Sequence, residues 1–396
     1  MKLSAAVLIV VLCREANALA VRVQGPRAKA QDALQPGVTA NSITVGSLAP
    51  LQGENGETGS AIKALLTAYF EDLNQDGGIH GRRIVLRFAE SGENGAATLR
   101  NARRLAAAPL FAMVAPFVPD AEQPLAALAL ASKTPVVGLL ALSVPTEPAN
   151  REVFYLLPGF QQLEQELVRF AARDQAAMEK TAVVIADSKL QTDVAGAMQA
   201  TWKELSAGKP REFVLTATNH DEIVRELHSL GIERVFFVGG GEQLGPWIQA
   251  ADHAEWTPKV FVLGPLLDEG ILMAPARFQG RIFAAYPQLQ PELGAVDEFD
   301  YFLQSHNLTS NHRLVQISAY CAAKVLTEAL RRAGKNVTRE KLILSLEQMR
   351  DFKTGLLPGL TFGANRRVGS SKAEIVCVDL ASHSFQTECS KTQKPE

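Results

Sequence analysis

The sequence predicts an α/β protein of two similar three-layer α/β/α lobes joined by a hinge of three chain crossings. Two observations carry that expectation. The run from Ile43 to Phe88, ITVGSLAPLQGENGETGSAIKALLTAYFEDLNQDGGIHGRRIVLRF, orders a buried strand, a Gly-rich loop, an amphipathic helix, a Gly-Gly turn and a second strand. That is the βαβ pattern of a parallel sheet. The same unit then recurs along the chain in two series, and about 355 to 375 residues remain once an amino-terminal leader is set aside, more than one core usually holds.

The leader comes first. Lys2 supplies a positive start, Leu3 to Leu12 form an apolar run too short to span a bilayer, and Ala18-Leu19-Ala20 offers a small-x-small cleavage site. A signal peptide over 1–20 and a flexible leader over 21–41, with Gly25, Pro26, Pro36 and Gly37, are expected. Leu12 before Cys13 is too large for lipoprotein processing, so the expectation is a soluble exported product, with an uncleaved anchor as the alternative.

The first series then places strands at Ile84 to Ala89, Phe111 to Ala115, Pro135 to Leu139 and Val153 to Leu157, with helices at Ala96 to Ala107 and Ala121 to Ala131. After Pro158-Gly159 a second series begins. Its strands are Thr181 to Ala186, Glu212 to Leu215, Arg234 to Val238 and Lys259 to Leu263, and its helices are Gln161 to Ala177, Thr192 to Ser206, Asp221 to Ser229 and Gln243 to Ala251. Ile282 to Tyr286 and Pro287 lead to the long helix Leu314 to Ala333, stopped by Gly334, and to Arg339 to Met349. Those helices need a sheet to cover, which a return to the first lobe supplies. Leu360 to Phe362 and Ala373 to Leu380 read as a closing hairpin. The division is 42–157 with 287–362 for the first lobe, 158–286 with 363–380 for the second, and a tail over 381–396.

Composition narrows the chemistry. The chain carries 40 basic and 42 acidic residues, with no basic cluster interleaved with aromatics, which argues against nucleic acid as a partner. Past Cys13 the cysteines are Cys321, Cys377 and Cys389, none in a CxxC pair. Cys377 and Cys389 are candidates for a disulfide in an oxidising compartment, and free thiols are the equal alternative. Cys321 reads as a small core residue of a helix. HExxH, G-x-S-x-G and a Walker loop are missing, and GGGEQLG departs from a dinucleotide loop because Leu244 stands where the last glycine belongs. Glu164 with Glu166, and Asp297 with Glu298, read as solvated helix faces. No catalysis and no cofactor are expected.

The opening ITVGSLAPLQGENGETG and NQDGGIHGRRIVLRFAES, with SKTPVVGLLALS, KTAVVIADS, IERVFFVGGGE, GRIFAAYP and LLPGLTFGANRRVGS in that order, resemble the type I periplasmic solute-binding proteins of ABC transporters, specifically the branched-chain amino acid (Leu/Ile/Val) binding group. The resemblance runs from about Ser42 to Leu380. It implies a monomeric periplasmic protein that closes its lobes on a small polar solute, an amino acid or a related amide or organic acid, and hands it to a membrane permease with its ATPase. A ligand sensor of the same fold, acting with a receptor or regulator, is the alternative.

The resemblance also places candidate ligand contacts. In the first loop they are Gln52 and Glu57, with Thr58 beside them. After the third strand they are Phe117 and Val118, in a loop lacking the family's hydroxyl, with Asp120 as a helix cap. After the fourth strand they are Ala141, Leu142 and Ser143, the last matching a family Thr or Ser. Phe160 follows the first crossing, Lys189 stands where the family has Tyr-Gly, and Glu242 falls near the acidic residue that meets a ligand ammonium. Turn, core and solvated roles are the ordinary alternatives for these residue types. The departures imply a pocket altered from that for a standard aliphatic amino acid.

Overall fold

The computed structural model describes residues 35–53, 55–92, 94–141, 143–144, 150–173, 175–205 and 209–387, the side chains of 175–177 and 269 excepted. The expected signal peptide over 1–20, most of the 21–41 leader, Leu142, Cys389 and the end of the 381–396 tail lie outside the described residues.

The first series folds as β1 (Ser42–Ala49), α1 (Gly56–Gln75), β2 (Arg83–Glu90), α2 (Gly95–Ala107), β3 (Ala112–Val114), α3 (Glu122–Ser132), β4 (Val136–Val137) and β5 (Val153–Phe154). Its five strands are parallel in the order β2-β1-β3-β4-β5. Burial on both faces explains the apolar runs. Along β1, Ile43, Val45 and Ala49 pack with Ile62, Leu65 and Leu66 of α1, while Leu48 meets Leu105 of α2 and Leu125 of α3 on the opposite face.

The second series comprises α4 (Phe160–Ala171), β6 (Thr181–Ile185), α5 (Ser188–Glu204), β7 (Arg211–Val214), α6 (His220–Ser229), β8 (Arg234–Val238), α7 (Gly241–His253), β9 (Lys259–Leu263) and β10 (Ile282–Pro287). The chain then returns through α8 (Ala295–Ser305), α9 (Arg313–Ala333) and α10 (Arg339–Glu347), whose apolar faces join the core of the first sheet. β11 (Ala373–Asp379) and β12 (Ser384–Gln386) complete a seven-stranded sheet ordered β12-β11-β10-β9-β8-β6-β7. Only β11 and β12 run antiparallel to their neighbours. The chain therefore passes between the lobes three times.

The crossings are hydrogen-bonded side by side. Tyr155 N–H donates to the Arg367 carbonyl and Gly369 N–H to the Tyr155 carbonyl, each at 2.8 Å, and Gln288 N–H donates to the Lys372 carbonyl at 3.1 Å. The Arg367 guanidinium lies 2.7 Å from Glu347 and 4.5 Å from the centroid of the Phe154 ring. This buried ion pair ties the third crossing to α10 and β5.

Several expectations need correcting. Leu360 bridges Phe352, and the terminal hairpin is β11 with β12, so part of the expected tail is a strand of the second sheet. Val368 bridges Tyr155, which sets 363–370 against the first sheet. The helical run expected around Asp297 and Glu298 is α8, with both carboxylates exposed and Phe299 and Leu303 giving it a narrow core stripe. α5 begins at Ser188 because the Asp187 carboxylate accepts the N–H groups of Lys189 and Leu190. Glu164 lies on the core face of α4, only 3% exposed, and is no solvated residue. Cys321 is buried in α9, where burial pushes its thiol up to about 12. Cys377 is buried on β11, and its candidate partner Cys389 lies outside the described residues.

Candidate functional site

Parallel strands in both lobes end on the side from which the next helices start, and loops from both lobes meet there around a cavity of about 120 Å³. The first lobe supplies Phe117 after β3, Gly138 to Ala141 after β4, Leu156 and Leu157 after β5, and Leu314, Val315 and Ser318 from α9. From the second come Gly159, Phe160 and Leu163 at the start of α4, Pro265 after β9 and Pro287 at the end of β10. The first two crossings thus form part of its wall.

Local chemistry fixes this wall. Phe117 and Leu140 bridge in parallel, with Leu140 N–H donating to the Pro116 carbonyl at 3.0 Å and Phe117 N–H to the Leu48 carbonyl at 2.9 Å. Gly138 has φ +72, and a Cβ there would stand 2.3 Å from the Cβ of Ala322. Only glycine lets α9 approach the end of β4 so closely.

Two helices open onto the cavity. Gly159 caps α4 with backbone alone, its N–H donating to the Gln162 side chain at 2.9 Å, and His312 precedes α9 without a side-chain cap. The first N–H groups of each helix have no acceptor within the helix. Among the described wall residues no side chain is charged. Among the described wall residues the Ser318 hydroxyl is the single side-chain polar group, and it donates to the Leu314 carbonyl at 2.8 Å.

Away from the hinge, Asp120 of the first lobe forms an ion pair with Lys189 of the second. Asp120 has φ +63, and the α3 cap is Ala121 without a side-chain bond, so Asp120 bridges the lobes and is not a cap. Lys189 lies in the first turn of α5, and its hydrogen bond to Asp120 raises the ammonium above its usual value. Burial, with Asp120 and Asp193 nearby, raises the Glu122 carboxyl.

Of the residues singled out in the sequence, Phe117, Ala141 and Phe160 come together in the wall. Val118 does not: it is 0% exposed and packs with Met113 and Leu125 in the core. Lys189 meets the chain's own Asp120. Glu242 is exposed in the first turn of α7, where its Oε1 accepts from Gln243 at 2.9 Å, and neither it, Gln52 nor the half-buried Ser143 lines the cavity. Glu57 lines a separate recess with His312 and Gln316 and lies 3.9 Å from His312 Nε2, while Thr58 Oγ1 is 3.2 Å from His312 Nδ1. Sequence reasoning missed Gly138, Pro265, Pro287 and the start of α9. Proline at strand ends was a usable signal for two of them, whereas nothing local showed that α9 reaches the hinge.

Solved structures share this architecture. A substrate-binding periplasmic protein from Ralstonia solanacearum has a TM-score of 0.65 at 23% identity, over 85% of this chain and 98% of its own. A branched-chain amino acid ABC transporter from Thermus thermophilus with bound valine has 0.69 at 15%, over 87% and 95%. A fatty acid ABC transporter substrate-binding protein from Thermomonospora curvata has 0.67 at 16%, over 88% and 91%. At such identities the likeness establishes the fold. No curated protein matches the sequence. The sequence model of the periplasmic binding proteins matches residues 42–383, and the chain belongs to that family.

Proposed function

We propose that this chain is an extracytoplasmic binding protein, exported to the periplasm by a cleaved signal peptide, that captures an amino acid or a related amide or organic acid and delivers it to an ABC permease and its ATPase. The observation that carries the reading is the cavity walled by both lobes beside the crossings. The solute docks on the first lobe, against Phe117 and Ala141, and the second lobe brings Phe160 over it. Closure removes water and strengthens the remaining hydrogen bonds. The protein binds without chemistry and works as a monomer. Small-angle scattering tests this: a solute that raises the melting temperature should also shrink the radius of gyration. A stabilising solute that leaves the scattering profile unchanged, or that the purified protein converts, overturns the reading.

A further inference from the structure

The cavity wall also bears on which solutes it admits. An α-amino acid buried between lobes brings an ammonium and a carboxylate out of water together, and each requires a partner of opposite charge or aligned dipoles. Among the described wall residues there is no aspartate, glutamate or other charged side chain, and Glu242, expected from the sequence to meet an ammonium, is exposed and outside the wall. The side chains of Phe117, Leu140, Leu156, Leu314 and Val315 instead present hydrocarbon. Apart from the Ser318 hydroxyl, whose proton is given to the Leu314 carbonyl, the polar groups left to the cavity among the described wall residues are backbone. The starts of α4 and α9, one from each lobe and neither capped by its N-cap side chain, both contribute residues to the wall. Helix starts favour anions and repel cations.

We propose that the solute is an apolar monocarboxylate without an α-ammonium group, its hydrocarbon body in the cavity and its carboxylate toward the α4 and α9 starts. This rests on the capture reading above and narrows it. Among the described wall residues an ammonium faces two positive helix ends and no carboxylate.

The test uses matched pairs that differ only in the ammonium: 3-phenylpropanoate against L-phenylalanine, and 4-methylpentanoate against L-leucine, titrated into the full chain by calorimetry and followed by thermal shift. The acid of at least one pair should bind on the order of tenfold or more tighter than its amino acid, and Ala141→Trp, which fills the cavity, should abolish that binding. Equal or tighter binding of the amino acids overturns the proposal, as does acid binding that survives Ala141→Trp in a variant that still melts cooperatively. Failure of all four probes overturns it too. In that case the capture reading stands if some other solute both stabilises and compacts the protein, and falls if none does.

Discussion

Glu164 offers a sharp quantitative test of the packing that carries α4 to the cavity. It sits one residue beyond Leu163, 3% exposed, and its Oε1 has no hydrogen-bond partner among the described residues. Burial alone raises its carboxyl from 4.5 to about 8. Below pH ~4.5 the group is protonated in folded and unfolded chains alike and contributes no pH dependence. Between 4.5 and about 8 the unfolded chain has lost the proton and the folded chain keeps it, so stability falls as pH rises, by about 1.4 kcal/mol per unit. Across the whole window the loss comes to about 5 kcal/mol, an order-of-magnitude figure. Glu164→Gln keeps the shape and removes the titration. Urea unfolding at several pH values should show variant and parent equal near pH 4.5, with the variant gaining steadily toward pH 8. Parallel curves would mean that Glu164 is ionised in the folded protein, and the description of α4 as a dry helix face would be wrong.

Two further outcomes follow from the same geometry. Arg367→Ala should lower unfolding stability by about 3 kcal/mol, because it strands the largely buried Glu347 carboxylate and frees the third crossing; a shift in the urea midpoint equivalent to less than about 1 kcal/mol would show that the pair is not structural. Lys189→Met should weaken solute affinity at most about fivefold in dilute buffer, and the effect should vanish between about 20 and 500 mM salt. An effect that is large and independent of salt would make Lys189 a ligand contact after all.

The fold was legible because its signal is long-range and redundant. Each βαβ unit announces itself by a strand buried on both faces and a helix of one apolar stripe, as in β1 with α1, and six or more repetitions outvote any local error. Errors fell where the signal is short or depends on distant partners. Three-residue β12 carries no periodicity, and the start of α5 is set by the Asp187 cap rather than by the apolar spacing that begins at Thr192. The site was less legible for a related reason. Phe117, Ala141 and Phe160 could be found because they follow strand ends or the first crossing, where ligands collect in such folds. Val118, one position further on, turned into the core because alternation along the chain sends adjacent side chains to opposite sides. Gly138, Leu314 and Val315 needed knowledge that α9 docks on β4, a contact between residues more than 170 positions apart in the chain.

On the proposed closure, the polar and apolar parts of the cleft would divide the work unequally. Asp120 and Lys189 are 68% and 70% exposed, so their ion pair is worth at most about 1 kcal/mol, a factor of roughly five between closed and open forms. A solute that buries ~200 Å² of hydrocarbon against the hinge cavity gains about 5 kcal/mol, several thousandfold. The ion pair therefore cannot hold the lobes shut against an empty cavity for long, yet it can choose which closed arrangement is reached by matching one carboxylate to one ammonium. A binding protein needs that balance: closure must depend on its cargo, because a ligand shifts an equilibrium only by its differential affinity for the two states. Strengthening the rim pair would raise the closed population of the empty protein and erode that dependence, whereas enlarging the apolar wall would change which cargo closes it.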